Sequence, residues 1–248
     1  MMIADHAPGR LTLKQRIGTV VLPRLPITQF LFNLLRDEVH SAIVRGGNAV
    51  LPWRRRRLSR LRAGRELLVN VACGPQRLEG FVNLDVHPVA SDVVAWDSRR
   101  DLPLGDGAAR GIRVEHFVEH LEAREELPAF LRDCHRALAT GGVLRIIVPD
   151  AGRYLQAYCC GDLSGFRELE VPSPFPSDLP TRMDVINHVF HQWHEHRWAY
   201  DCEAMTHRLR EAGFTTIEQR TYQSSRDPRL AQDRSVHAPY SLYVEAVK

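Results

Sequence analysis

Two short stretches of this chain place reactive side chains at spacings that suit chemistry. Residues 68–85 read LVNVACGPQRLEGFVNLD, in which the apolar run Leu67 to Val71 breaks at Cys73-Gly74-Pro75 and a second run, Phe81 to Leu84, ends on Asp85. Gly74 tolerates unusual dihedrals and Pro75 cannot donate to a strand ladder. A glycine turn after one strand and an acid closing the next is how nucleotide-binding α/β folds hold a ligand. The bare backbone comes close, and the carboxylate accepts ribose hydroxyls. The second stretch is histidine-rich: His116 and His120 follow an apolar run, and residues 187–198 read NHVFHQWHEHRW. Imidazole changes charge near neutral pH, so His116, His120 and His196 are candidate general bases. His188, His191 and His194 sit three apart and would share one helix face, with Glu195 and His196 as further possible ligands. Three readings stand: lining of a substrate site including a base, structural or surface histidines, and a metal site. No known zinc spacing is matched and no Cys joins in, so no metal ligand set is assigned. Trp193, Trp198 and Tyr200 suit stacking on a flat face such as a sugar ring, or core packing.

The elements that must position these residues alternate. Strand candidates lie at 67–72, 81–84, 92–96, 112–117 and 143–148, with a helix over 124–138 that carries Leu127, Phe130, Leu131, Cys134 and Leu138 on one face and ends at Thr140-Gly141-Gly142. Strand, helix and strand in that order imply a right-handed parallel crossover. A Pro/Ser/Gly-rich stretch, 161–182, reads as a surface insertion. A helix near 201–212 stops at Gly213, and strands near 215–222 and 240–247 would pair antiparallel at an edge. Between Val71 and Phe81 there are too few residues for a crossover helix, which takes about a dozen or more. The first helix must shrink to a turn. VACGPQRLEG also lacks the G-x-G-x-x-G fingerprint, which disfavours a nicotinamide-dependent oxidoreductase.

Of the 248 residues 44% are hydrophobic and 25% charged, the mix of a soluble globular chain of one large domain or slightly more. No apolar run reaches the roughly 18 residues of a membrane span. MMIADHAPGRLTLKQR shows no charged-then-apolar leader pattern, so secretion is not expected. Five cysteines without a CxxC pair read as reduced thiols of a cytoplasmic protein, and Cys159-Cys160 as helix residues. The net charge of +3 hides an asymmetry, because residues 1–68 hold 13 Lys and Arg against 4 Asp and Glu. Within that arm, Thr28 can cap a helix with Leu31, Leu34, Leu35, Val39 and Ile43 at helical spacing, ending at Gly46-Gly47. Seven arginines then fall between Arg54 and Arg65. They lack interleaved aromatics and a groove-reading module, so nucleic acid is not expected. A solvated or phosphate-facing helix beside a catalytic domain is the expected reading. Contact with a lipid phosphate, peripheral to the inner membrane, is the alternative that a basic arm on an acidic body leaves open.

Taken in order, NVACGP (70–75), GFVNLD (80–85), DLPLGDG (101–107), EHL (119–121), ATGGVLRIIVPD (139–150) and EAGF (211–214) resemble the class I S-adenosylmethionine-dependent methyltransferases. The set is most similar to the type 11, short-first-helix group of bacterial polysaccharide and small-molecule pathways. The resemblance covers about residues 66–248. It implies an α/β fold with a Rossmann-like, mostly parallel seven-stranded sheet and a shortened first crossover. Residues 1–65 are then a basic helical N-terminal extension, and 66–248 a methyltransferase domain with an insertion around 161–197. It implies S-adenosylmethionine as cofactor, met by the backbone at Ala72, Cys73 and Gly74. Asp85 would take the ribose, Asp97 (with Asp92 as competitor) the adenine amino group, and Glu115 and His116 would lie beside the sulfonium. His196 with Tyr200-Asp201 matches a His-x-x-x-Tyr-Asp segment at the site's mouth. The implied reaction is O-methylation of a sugar or glycan-precursor hydroxyl, with a small-molecule or glycan acceptor as partner. Ala72 departs from the pattern, which has glycine there, and its methyl would crowd the methionine carboxylate. A rival reading is therefore a catalytically weak, methyltransferase-like binding module that docks a partner enzyme through the N-terminal helices. The sequence sets no oligomeric state.

Overall fold

A computed structural model describes residues 28–162 and 179–248. Residues 43–248 form one compact unit; residues up to Ala42 form another, whose described part is the beginning of helix α1, Gln29–Val50. Thr28 caps α1 as expected, its Oγ1 accepting from the Leu31 amide at 3.2 Å. The helix does not end at Gly46-Gly47 but runs on to Val50. Glycine costs a helix only about 1 kcal/mol, so the pair is tolerated near its end. Helix α2, Pro52–Ala63, follows with Pro at its first position, where no amide is missed.

Strands β1 (Leu67–Val71), β2 (Val82–Asp85), β3 (Val94–Ala95), β4 (Ala109–Glu115), β5 (Leu138–Pro149), β6 (Thr216–Arg220) and β7 (Ser241–Val247) make one sheet in the order β3-β2-β1-β4-β5-β7-β6. The first five are parallel, and β7 alone is reversed, pairing antiparallel with both β5 and β6, giving the Rossmann-like, mostly parallel seven-stranded sheet that the sequence implies. Helix α3, Glu126–Ala137, is the expected crossover between β4 and β5. It ends three residues before Gly141-Gly142; the pair instead shapes the entry to β5, where Gly141 takes φ +78°. Helices α4 (Ala151–Cys160), α5 (Arg182–His191) and α6 (Cys202–Glu211) complete the described elements of more than one turn. Residues 163–178 of the expected insertion lie outside the described residues, whereas 182–191 are helical, started by a Thr181/Asp184 capping box.

Period-two alternation gives the sheet two unlike faces. On one, Val69, Val71, Leu84, Ile112, Val114, Leu144, Ile146, Leu242 and Val244 join a single apolar cluster with Leu127, Phe130 and Leu131 of α3 and Met205 and Leu209 of α6. On the other, the strand register lines up Asn83, Asn70, Arg113, Arg145, Glu245 and Glu218 across six strands. The cause is the shortened first crossover. With no helix between β1 and β2, the loop is held by side-chain bonds instead: Asn70 Nδ2 donates to the Gln76 carbonyl at 2.8 Å, and Asn83 exchanges two bonds with Leu78 at 2.9 and 3.0 Å. Residues 221–240, irregular apart from two single 3-10 turns, cover the rest of this face. Gly111 admits them, because a Cβ there would stand 2.9 Å from the buried Leu230.

Candidate functional site

The parallel strands end along one edge, and the strand order reverses between β1 and β4, which is where open α/β sheets bind ligands. At the end of β1 the backbone turns through two residues of positive φ, Ala72 at +50° and Gly74 at +51°. For alanine this conformation is strained, while Gly74 takes it freely. The amides of Cys73 and Gly74 are committed within the protein. Cys73 N donates to the Leu84 carbonyl at 3.0 Å, and Gly74 N to Asp85 Oδ2 at 2.8 Å. Asp85 also accepts from the His87 amide through Oδ1 at 2.7 Å, which leaves acceptor capacity on both oxygens. A Cβ at Gly74 would meet nothing within 4 Å, so the space over the turn is open. Burial, aided by Asp85, pushes the Cys73 thiol up to about 11, so it is a packing residue rather than a nucleophile.

Asp97, after β3, is buried and held by two arginines. Arg99 forks onto it at 2.9 and 3.0 Å, and Arg45 of α1 reaches Oδ2 at 2.5 Å. Burial raises its pKa, but Arg99 and Arg45 outweigh that and lower it overall. Asp92 is exposed and paired with Arg77 at 2.8 Å. A pocket of about 380 Å³ beside Asp97 is walled by Arg45, Arg55, Arg62 and Arg100, with Trp96 and Asp101. Arg57 is not part of that wall, because its guanidinium is bonded to the carbonyls of Ser91, Asp92 and Val93.

The ends of β4 and β5 open into a second pocket, about 210 Å³, lined by His116, His120, His188, His196, His237 and Tyr240, among others. His116 sits in the left-handed region at φ +51°. Its ring is pinned by Glu119 Oε1 at 3.2 Å from Nδ1 and by Ser241 Oγ at 3.2 Å from Nε2, the over-determination that a strained site residue requires. Glu115 points the other way, into the polar face, where it meets Arg113 at 2.5 Å and His237 Nδ1 at 3.0 Å. Burial raises its pKa, while His237 and Arg113 pull it down further, to about 2. His120 and His196 pack edge to face at 4.9 Å. Burial drives His196 down to about 4, against the pull of Glu119, so its ring is neutral at neutral pH. Glu119 itself is almost wholly buried. Burial pushes its carboxyl up, and the surrounding His116, His120 and His196 pull it down to about 2.

The structure thus brings His116, His120 and His196 into one pocket and sets Asp85 against the glycine turn. It does not unite His188, His191 and His194 on one helix face. Helix α5 stops at His191, Gln192 turns left-handed at φ +35°, and His194 lies beyond in a 3-10 turn. Sequence reasoning missed Glu119 and His237 as site residues. Glu119 had a signal, standing within EHL three residues after His116; His237 had none, since only the fold of residues 221–240 delivers it.

No protein family matches the chain, and no curated protein matches its sequence. Solved structures do overlay on it in part. An S-adenosylmethionine-dependent methyltransferase of Archaeoglobus fulgidus is 17% identical, covers 85% of this chain and 98% of its own, and has a TM-score of 0.46. The 1,6-didemethyltoxoflavin-N1-methyltransferase of Burkholderia thailandensis, solved with its substrate and S-adenosylhomocysteine, is 15% identical over 90% and 92% of the two chains, with a TM-score of 0.45. A protein of Bordetella parapertussis described as a possible exported protein is 18% identical over 98% and 76%, with a TM-score of 0.44. Overlap at this level leaves the chemistry of this chain to its own residues.

Proposed function

We propose that this protein is an S-adenosylmethionine-dependent methyltransferase. The observation that carries the reading is the pairing at the switch point. Asp85 anchors an open glycine turn at the ends of β1 and β2, and a histidine-lined pocket opens at the ends of the adjoining β4 and β5. The residues fit such a cofactor, because Asp85 keeps lone pairs for two ribose hydroxyls and nothing fills the space above Gly74. Bound there, the cofactor would supply an electrophilic methyl group on sulfur. The chain's own part is to orient an acceptor and to receive its proton. A hydroxyl acceptor, on a sugar or glycan precursor, suits a pocket walled by imidazoles and Tyr240. One of His116, His120 and His196 would hold the proton. The exposed Arg55, Arg56, Arg60 and Arg62 of α2, two of which border the 380 Å³ pocket, support a phosphate-bearing acceptor or a lipid headgroup as the neighbour of that site. No described helix is long and apolar enough to cross a membrane.

Calorimetric titration with S-adenosylhomocysteine tests the cofactor. Asp85→Ala should weaken binding by about 1–3 kcal/mol, since charge-assisted hydrogen bonds are lost, while Asp92→Ala should leave it unchanged. Absence of binding by the folded wild type at millimolar ligand would sink the reading. The committed amides and the strained Ala72 would then favour a methyltransferase-like binding module.

A further inference from the structure

We propose that Glu119, His120 and His196 form a site for one first-row divalent transition cation such as zinc, cobalt(II) or manganese. Donor atoms of the three lie within 4.8 Å of one another. Some point is therefore no more than about 2.8 Å from all of them, against bonds of about 2.0–2.2 Å for zinc to nitrogen and oxygen. Small rotations of side chains close that gap.

Two independent observations point to a ligand. First, both imidazoles are already set in the tautomer a metal needs. His120 Nδ1 lies 3.0 Å from the Glu195 carbonyl, and His196 Nδ1 lies 2.6 Å from the Val189 carbonyl. A carbonyl only accepts, so each Nδ1 carries the proton and each Nε2 offers a lone pair. That is the outer support which metal-bound histidines characteristically have. Second, Glu119 is 1% exposed, and among the described residues its Oε1 meets His116 alone while its Oε2 has no hydrogen-bond partner. The nearest group able to carry charge is His116 Nδ1, at 3.2 Å. A carboxylate so buried calls for a compensating cation in contact with it.

The backbone assembles the set across the 75 positions that separate His120 from His196. The Glu119 carbonyl accepts from the Arg197 and Trp198 amides at 2.8 and 3.2 Å, which brings His196 to the Glu119-His120 pair. Two imidazoles and one carboxylate suit zinc and its neighbours in the first row, and not magnesium or calcium, which prefer oxygen throughout. His120 and His196 also line the 210 Å³ pocket, so three protein ligands would leave a coordination position facing it. The role of the cation, though not its binding, rests on the methyltransferase reading: it would polarise an acceptor hydroxyl, whose proton passes to a neighbouring imidazole such as His116.

The test uses the full chain, stripped with chelator and titrated with cobalt(II) by visible absorption and with zinc by calorimetry, in the absence of any adenosyl compound. One equivalent should bind, with magnesium and calcium failing to compete. Glu119→Gln, His120→Ala and His196→Ala should each weaken it at least tenfold, and the exposed His191→Ala should not. If Glu119→Gln does not fold, the partly exposed His120 still decides the matter. No stoichiometric binding of cobalt or zinc overturns the proposal. Binding indifferent to all three variants does the same. S-adenosylhomocysteine is titrated into the same metal-free sample, so loss of either reading leaves the other standing.

Discussion

The two faces of the sheet solve one problem in opposite ways. The helical face is dry and apolar, with Val69, Ile112, Leu144 and Phe130 fully buried in one cluster. The opposite face buries Arg113, Arg145 and Glu245 under residues 221–240, which bring their own buried Asp233 onto it. A helix satisfies its own backbone and can offer a wholly apolar stripe, so its partner face need only be apolar. An irregular covering segment brings carbonyls without partners of their own, and those must be met by donors from the sheet. Arginine supplies several from one position. Arg145 binds Asp233 through two bonds at 3.0 and 2.5 Å, Glu245 at 3.0 Å and the Ser224 carbonyl at 2.7 Å. Arg113 reaches the Gln232 carbonyl at 3.1 Å. The difference teaches that the missing first helix is paid for in buried charge.

The contrast can be broken most sharply at Arg145. Arg145→Ala should destabilise by about 3–5 kcal/mol in urea unfolding, because two carboxylates stay buried without their cation. Phe130→Ala should cost a similar 3–5 kcal/mol by opening a cavity. The faces part when neighbours change together. Replacing Arg145, Asp233 and Glu245 jointly by apolar residues of matching volume should recover most of the loss, whereas adding Leu127→Ala to Phe130→Ala should deepen it. A triple variant as unstable as the single one would show that the covering carbonyls, not the carboxylates, need Arg145.

Acid sharpens the same contrast. The Glu115 pKa is lowered from 4.5 to about 2: burial alone would raise it, and His237 and Arg113 more than reverse that. A depressed folded-state pKa contributes stability that is complete above the unfolded value and is lost as pH falls through the folded one. Between pH 4.5 and 2 the wild type should therefore lose about 3 kcal/mol that Glu115→Gln never had. Equal slopes for the two proteins over that window would refute the assignment. The smallest effect is expected at Ala72, whose φ of +50° suits glycine. Ala72→Gly should stabilise by up to about 1 kcal/mol, offset in part by the freer unfolded chain. A loss on this substitution, read from the thermal midpoint, would mean that the methyl packs usefully.

Much of the fold was legible because its signals are local. The sequence marked all seven strands, though their ends moved by up to five residues, most at the start of β5, since pairing rather than composition ends a strand. The periodicity of Leu127, Phe130, Leu131 and Cys134 marked α3 and its buried face. The glycine turn and Asp85 were read as a pair and do meet, at 2.8 Å, because only one short loop separates them. The histidine run misled for the converse reason. Its three-residue spacing presumes a continuous helix, and the chain leaves the helix at Gln192.

By itself, then, the sequence determined the strands and the helices that begin at Gln29, Glu126 and Cys202, the short first crossover that follows from too few residues, and the turn that sets Asp85 beside Gly74. The tertiary structure alone decided which segment covers the polar face, that Arg45 reaches Asp97, and that Glu119 and His120 meet His196. Those contacts join residues 52 or more positions apart, and as many as 119 for Arg113 and Gln232. No periodicity spans such a distance; it is settled by which buried groups find partners when the whole chain packs.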